Sequence, residues 1–249
     1  MSTQSLILRH GTIEQRISFA SADAVPPGEF LSEAEKEQAE GFQFAAKKQG
    51  FLLGRLAAKR ALGALLEEPD LRQIGIRAGV YGQPLVRHPR AASIEVSVSH
   101  SHGLAVALAF PTEYPMGIDL ETIAAVSAEV VLGELEASPP ELTWLATGGV
   151  DAATACCVLW SAREALGKAL RIGLNSPLGI LALSEIRSAG EGTWRGRYLN
   201  FPRCQIHSRA KGGRVLTLAM PGDTMNQQAL QCPQHSMPDY TAEHRQEFL

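Results

Sequence analysis

Two stretches of the sequence, 108 positions apart, repeat one helical pattern. Residues 54–62 read GRLAAKRAL and residues 162–170 read AREALGKAL, and strand-like segments follow each copy. A repeat at this spacing indicates two similar α+β halves that meet near residue 115. A chance likeness stays an alternative, because helices rich in Ala, Leu and Arg resemble one another easily.

Helix and strand signals occur in both halves. Ser32 and Glu35 form a capping-box pattern, which predicts a helical region reaching about Leu66, with a break near Gly41 or Gly50. Asp151 is a candidate cap for a second long helix, and alternating or apolar runs predict strands at 94–99, 104–110, 116–121, 194–198, 204–208 and 215–220. We therefore predict an α+β fold of two similar subdomains in a pseudo-twofold arrangement, each a small antiparallel sheet packed against a long helix. The predicted boundaries are 1–115, 116–220 and a polar tail, 221–249.

Composition excludes several classes of function. The net charge of −3 argues against a general nucleic-acid binder, and no apolar run approaches the roughly 18 residues of a membrane span. The N-terminus has no apolar block typical of a signal peptide, so we expect a cytoplasmic protein. Four cysteines without a CxxC pattern favour inert thiols over zinc or redox chemistry.

Carboxylates lie close together in the segment G-I-D-L-E. Asp119 and Glu121 are two residues apart on a predicted strand, so their side chains leave the same face. Nearby carboxylates repel unless a cation or proton lies between them, and an oxygen-only set favours a hard ion such as Mg²⁺. A solvated strand end is the alternative explanation.

Glu164 is a third candidate carboxylate. It lies on one helical face with Trp160 and Lys168, at spacings of four residues. Two alternatives stay open: Glu164 closes a capping box with Ser161, or it forms only a surface ion pair with Lys168.

Basic and polar side chains cluster in the first half. Lys48, Arg55 and Lys59 share a helix face that suits a polyanion, because arginine can donate two hydrogen bonds to one phosphate. Ser99 and His100 lie at a strand end. A solvated helix face and local hydrogen bonding at a turn are the respective alternatives.

The order of these segments resembles the signature series of the 4′-phosphopantetheinyl transferase superfamily. The series S-H-S, G-[VI]-D-[IVL]-E and [WF]-[ST]-x-[KR]-E-[AS]-x-x-K is similar to residues 99–101, 117–121 and 160–168, and residues 51–55 resemble the F-x-x-G-R helix. The resemblance covers about residues 30 to 220, and the length resembles the monomeric, two-lobed type acting on peptide and polyketide synthases.

This resemblance implies transfer of the phosphopantetheine arm of coenzyme A to a serine of an apo carrier protein. The implied Mg²⁺ ligands are Asp119, Glu121 and Glu164; Glu164 also serves as the base, and Lys168 assists departure of 3′,5′-ADP. The implied phosphate contacts are Arg55, Lys59, Ser99, His100 and Arg163, which assigns coenzyme A phosphates to the N-terminal lobe and metal binding to the C-terminal lobe.

Two positions depart from the family pattern. Gln83 replaces the lysine of a G-K-P turn, and Arg163 stands where lysine is commoner, which affects coenzyme A affinity more than chemistry. Two rival functions stay open: a coenzyme A- or carrier-binding relative that has lost catalysis, and an unrelated Mg²⁺-dependent nucleotide hydrolase.

Overall fold

The computed structural model describes residues 3–26, 29–125 and 127–225, and its contacts divide them into two units. The N-terminal unit extends to Pro115 and includes Thr224, and the C-terminal unit is Met116–Asp223. The predicted tail begins at residue 221, but its part from 226 onward lies outside the described residues. None of the described helices combines the length and apolar character needed to cross a bilayer.

The N-terminal unit packs one long helix against an antiparallel sheet. Its elements are β1 (Thr3–His10), β2 (Ile13–Ala22), α1 (Glu33–Glu40), α2 (Ala45–Leu66), β3 (Gly75–Ala78), β4 (Pro84–Arg87), β5 (Ile94–Ser101) and β6 (Leu104–Pro111), joined by a late strand that pairs with β1, Thr224–Met225. From that late strand the sheet order is β1-β2-β6-β5, and β3 and β4 form a separate hairpin. Buried Leu53, Leu56 and Ala57 of α2 lie in the core against this sheet.

The C-terminal unit repeats this construction. Its elements are β7 (Gly117–Thr122), α3 (Ala128–Glu134), α4 (Pro139–Thr147), α5 (Ala152–Ala169), β8 (Leu183–Gly190), β9 (Thr193–Tyr198), β10 (Cys204–Lys211) and β11 (Arg214–Pro221). The strand that follows, Thr224–Met225, is β12 and belongs to the N-terminal sheet. The sheet order is β7-β11-β10-β9-β8, with every pairing antiparallel. The apolar residues Val158, Ala162 and Ala165 of α5 are buried, and Ala169 on the same face is partly buried.

The two units share a strand order. In each unit, the strand that precedes the helices pairs with the second strand of a later hairpin, and that strand pairs with the first strand of the same hairpin. The resulting order is β2-β6-β5 in the N-terminal unit and β7-β11-β10 in the C-terminal unit. The predicted α+β fold with two subdomains is confirmed, and the shared order supports an internal repeat.

A buried glutamate organises the N-terminal unit. The predicted capping box at Ser32 and Glu35 is present, and the Ser32 backbone N–H donates to the Glu35 carboxylate at 2.9 Å. The same carboxylate accepts from the backbone N–H of Ile76 at 3.2 Å and pairs with the ammonium of Lys59 at 2.5 Å. Glu35 therefore connects α1, α2 and β3.

Glu141 plays the same part in the C-terminal unit. It closes a capping box with Ser138, accepts from the backbone N–H of Leu183 at 2.9 Å, and binds both terminal nitrogens of Arg163 at 2.9 Å. Glu141 thus connects α4, α5 and β8, so the repeat extends from the strand order to its buried ion pairs.

One element was missed by the sequence-based expectation, and two helix boundaries test it further. The first hairpin, β1–β2, was not predicted, because charged residues interrupt its alternation on the exposed face. Residues 41–44 separate α1 from α2, which confirms a break near Gly41. Residues 135–138 separate α3 from α4, and Pro139 and Pro140 form the start of α4, since proline fits a first helical turn.

Candidate functional site

Asp119 and Glu121 lie on the face of β7 that packs against α5. Gly117 brings the two elements together: a Cβ atom there would lie 1.9 Å from the Ala165 carbonyl oxygen, so only glycine fits. Asp119 is 1% exposed. A solvated strand end is therefore excluded for Asp119, and the strand points its carboxylate at the helix.

Lys168 joins the helix to the strand. Its ammonium donates to Asp119 Oδ1 at 2.6 Å and lies 3.8 Å from Glu164. The helix begins at Ala152 with Asp151 as its N-cap, so Glu164 is two-thirds of the way along α5 and closes no capping box. The pair of Glu164 and Lys168 belongs to a cluster with a buried carboxylate, which excludes a simple surface ion pair.

Electrostatics couple the three carboxylates. Burial, together with repulsion from Asp119 and then Glu164, raises the pKa of Glu121 to about 7, while Lys168 and the hydrogen bond from the Trp160 side chain oppose the shift. The pKa of Glu164 is also raised, mainly by burial. Three carboxylates thus share one ammonium, and a second cation would relieve their repulsion.

The donor set suits Mg²⁺ by chemistry, because it consists of carboxylate oxygens without His or Cys. Within the residues that the structure describes, however, no three His, Cys, Asp or Glu side chains are gathered in a ready metal-binding arrangement. Asp119 instead bonds to Lys168. Binding an ion through Asp119, Glu121 and Glu164 therefore requires side-chain rotation, and the metal assignment stays a prediction.

Arg163 points away from these carboxylates. It is 0% exposed, and its guanidinium donates to both Glu141 oxygens and to three backbone carbonyls, those of Leu135, Leu159 and Leu178. These contacts use all five N–H donors of an arginine. Arg163 has no N–H donor left for a phosphate. The prediction that Arg163 contacts phosphate is therefore wrong, and its role is that of a structural ion pair.

The comparison with known families agrees with this geometry. The model of the 4′-phosphopantetheinyl transferase superfamily matches residues 115–220. The C-terminal unit is therefore similar to this superfamily along nearly its whole length. The matched segment holds Asp119, Glu121, Glu164 and Lys168. No curated protein matches the sequence.

Lys59, which was also predicted to bind phosphate, is structural as well. Its ammonium is fully buried and contacts Glu35 and the carbonyl oxygens of Phe30 and Leu71, which occupies its three donors. Arg55 differs: its side chain is 14% exposed, its Nε lies 3.4 Å from Glu35, and its guanidinium stacks over Phe51. Arg55 therefore stays a candidate phosphate contact, whereas the prediction for Lys59 is corrected.

His100 lines a pocket of about 190 Å³ within the N-terminal unit. The pocket is lined by residues of α2 and of the β5–β6 hairpin, including Gln49, Gly50, His100 and His102. The imidazole of His100 packs directly on α2, because a Cβ atom at Gly50 would lie 3.1 Å from its Cε1. Ser99 is buried on the same strand.

Gln83 closes the β3–β4 hairpin of the N-terminal unit. Its side-chain oxygen accepts from the Tyr81 backbone N–H at 2.9 Å, and its carbonyl accepts from Gly79 at 2.7 Å. The amide therefore stabilises the turn where the family pattern has a lysine.

Sequence reasoning missed Gly50 and Trp160 as site residues. Gly50 and Gly54 are four residues apart on α2, a spacing that marks a helix face in close approach to another element, and this signal was available. The contact of Trp160 with Glu121 joins residues 39 positions apart and has no local signal.

Proposed function

We propose that the protein is a 4′-phosphopantetheinyl transferase, which moves the phosphopantetheine arm of coenzyme A to a serine of an apo acyl or peptidyl carrier protein. The observation that carries this proposal is the coupled cluster of Asp119, Glu121, Glu164 and Lys168 within the segment that matches the superfamily. Carriers of peptide and polyketide synthases, and a monomeric enzyme, are the finer parts of the proposal.

Each residue of the cluster has a proposed role. Asp119, Glu121 and Glu164 would hold Mg²⁺, which when bound neutralises charge on the pyrophosphate of coenzyme A. Glu164 accepts the proton of the carrier serine, and its raised pKa makes it a stronger base than an exposed carboxylate. The serine oxygen then bonds to the phosphorus as the P–O bond to 3′,5′-ADP breaks. Lys168 stabilises the departing phosphate by its positive charge.

The N-terminal unit supplies the proposed contacts to the nucleotide phosphates. Arg55 and His100 stay in this set because Arg55 is partly exposed and His100 lines the pocket beside α2. Ser99 is kept on the family motif alone. Arg163 and Lys59 are left out, since their donors are occupied within the protein.

A mass-spectrometric transfer assay tests the proposal. Purified protein, coenzyme A and Mg²⁺ are incubated with a panel of apo carriers, and we expect one carrier to gain the mass of a phosphopantetheine group. Asp119→Ala and Glu164→Gln should each lower the rate at least ~10²-fold. Glu191→Gln, at an exposed turn between β8 and β9, is the matched control and should keep the normal rate.

A coenzyme A- or carrier-binding relative without catalysis is the second candidate. Two observations favour it. Among the described residues, no three carboxylates are close enough together to hold a metal ion, and Asp119 forms a hydrogen bond with Lys168. Binding of coenzyme A without mass gain on any carrier would support it. Release of 3′,5′-ADP without a carrier would instead support a hydrolase.

A further inference from the structure

A basic groove lies on the face of the C-terminal sheet opposite α5. Its volume is about 500 Å³, and Arg187, Arg195, Arg197, Ser188 and Gln205 contribute to its lining. We infer that this groove binds an extended, carboxylate-rich segment of a partner protein. This inference goes beyond the proposed transferase function.

The first observation is an unfavourable pair that the sheet retains. Arg187 on β8 lies directly opposite Arg195 on β9, and Arg195 lies opposite His207 on β10. Like charges directly across two antiparallel strands destabilise a sheet. Arg195 is exposed and forms no salt bridge with any residue in the described ranges. An anion placed on this row would remove the repulsion.

The second observation is a shortage of acidic partners. Glu185 is shared between Arg187, at 3.0 Å, and Arg197, at 3.5 Å, and Arg197 also pairs with the exposed Asp223 at 3.1 Å. These two carboxylates face four arginines, Arg187, Arg195, Arg197 and Arg209. Arg209, which follows on the same face of β10, has a buried Nε without a hydrogen-bond partner. The groove therefore carries unbalanced positive charge although the whole chain has a net charge of −3.

The spacing of the cations favours an extended segment. Neighbouring strands are about 4.8 Å apart and alternate residues on a strand are about 7 Å apart, so these guanidinium groups spread over an area wider than one phosphate. An acidic peptide presents several carboxylates at comparable intervals, and arginine binds each of them through two N–H groups. Ser188 and Gln205 add neutral groups that can bond to a peptide backbone.

The groove is separate from the carboxylate cluster. Asp119 pairs through β11 and β10 with the row that contains Trp194, whose side chain faces α5. Arg195 is the next residue and therefore faces the opposite side. β7 and β8 are also opposite edges of the sheet. A partner in the groove thus does not occupy the space around Asp119.

Fluorescence anisotropy tests this inference with the full chain. The probe is a fluorescein-labelled peptide of alternating Glu and Ser, and the same peptide with Gln for Glu is the neutral control. We expect the acidic probe alone to bind, with affinity falling as salt rises. The double variant Arg187→Gln/Arg195→Gln should weaken binding by about tenfold or more. Arg87→Gln, an exposed strand arginine of the N-terminal unit, is the matched control and should bind normally.

Two results would overturn the inference. One is equal binding of the acidic probe by the wild type and the double variant. The other is displacement of the probe by pyrophosphate at lower concentration than by unlabelled acidic peptide, which would indicate a phosphate site. Because the double variant removes a like-charge pair, its urea midpoint should equal or exceed that of the wild type, which separates lost binding from lost folding.

Discussion

Replacing Glu141 should destabilise the C-terminal unit severely. Glu141→Ala removes two acceptors of the fully buried Arg163 and leaves the N–H groups of Ser138 and Leu183 without their acceptor. Removal of one partner from a buried ion pair costs about 3–5 kcal/mol, because an uncompensated charge stays in the interior. We therefore expect the free energy of unfolding to fall by about 3–5 kcal/mol.

Urea unfolding, followed by circular dichroism, measures this loss. Glu141→Ala, Arg163→Met and their combination form a double-mutant cycle, in which the double variant should lose less than the sum of the single variants. Glu134→Ala, on the exposed surface of α3, is the control and should change stability by less than about 0.5 kcal/mol. A loss below about 1 kcal/mol for Glu141→Ala would refute a buried, structural Arg163.

Three further changes test other parts of the structure. Gly117→Ala should cost about 3 kcal/mol or more by separating β7 from α5, whereas Gly133→Ala, with open space around it, should not destabilise; equal effects would contradict the close approach. Trp160→Phe should weaken Mg²⁺ binding about tenfold in calorimetry, because Glu121 loses its indole donor; unchanged affinity would dismiss that role. His207 has its pKa lowered to about 4 by burial and then by Arg195, so the folded state binds fewer protons than the unfolded state. Wild-type stability should fall by up to about 3 kcal/mol from pH 6.5 to 4, and His207→Gln should flatten that slope; parallel slopes would argue against it.

Local sequence patterns predicted the ends and faces of elements well. The capping box at Ser32, the cap at Asp151 and the shared face of Asp119 and Glu121 depend on residues a few positions apart, so the sequence contains the whole signal. The metal-ligand prediction depends on family motifs and on these local faces.

Long-range partners could not be predicted in the same way. Lys59 was predicted to contact phosphate from a basic helix face, and Arg163 from the family motif. Neither signal shows whether the side chain is buried. Their partners, Glu35 and Glu141, are 24 and 22 residues away on short helices. The capping glutamates indicated helix starts, and their second role as buried counter-ions follows only from tertiary packing.

The transfer assay tests the central claim most directly. Wild-type protein with coenzyme A and Mg²⁺ should add one phosphopantetheine group to the serine of an apo carrier, Glu191→Gln should do the same, and Glu164→Gln should be at least ~10²-fold slower. Near-normal transfer by Glu164→Gln, or no mass gain on any carrier by a folded wild-type protein that binds coenzyme A, would contradict the account.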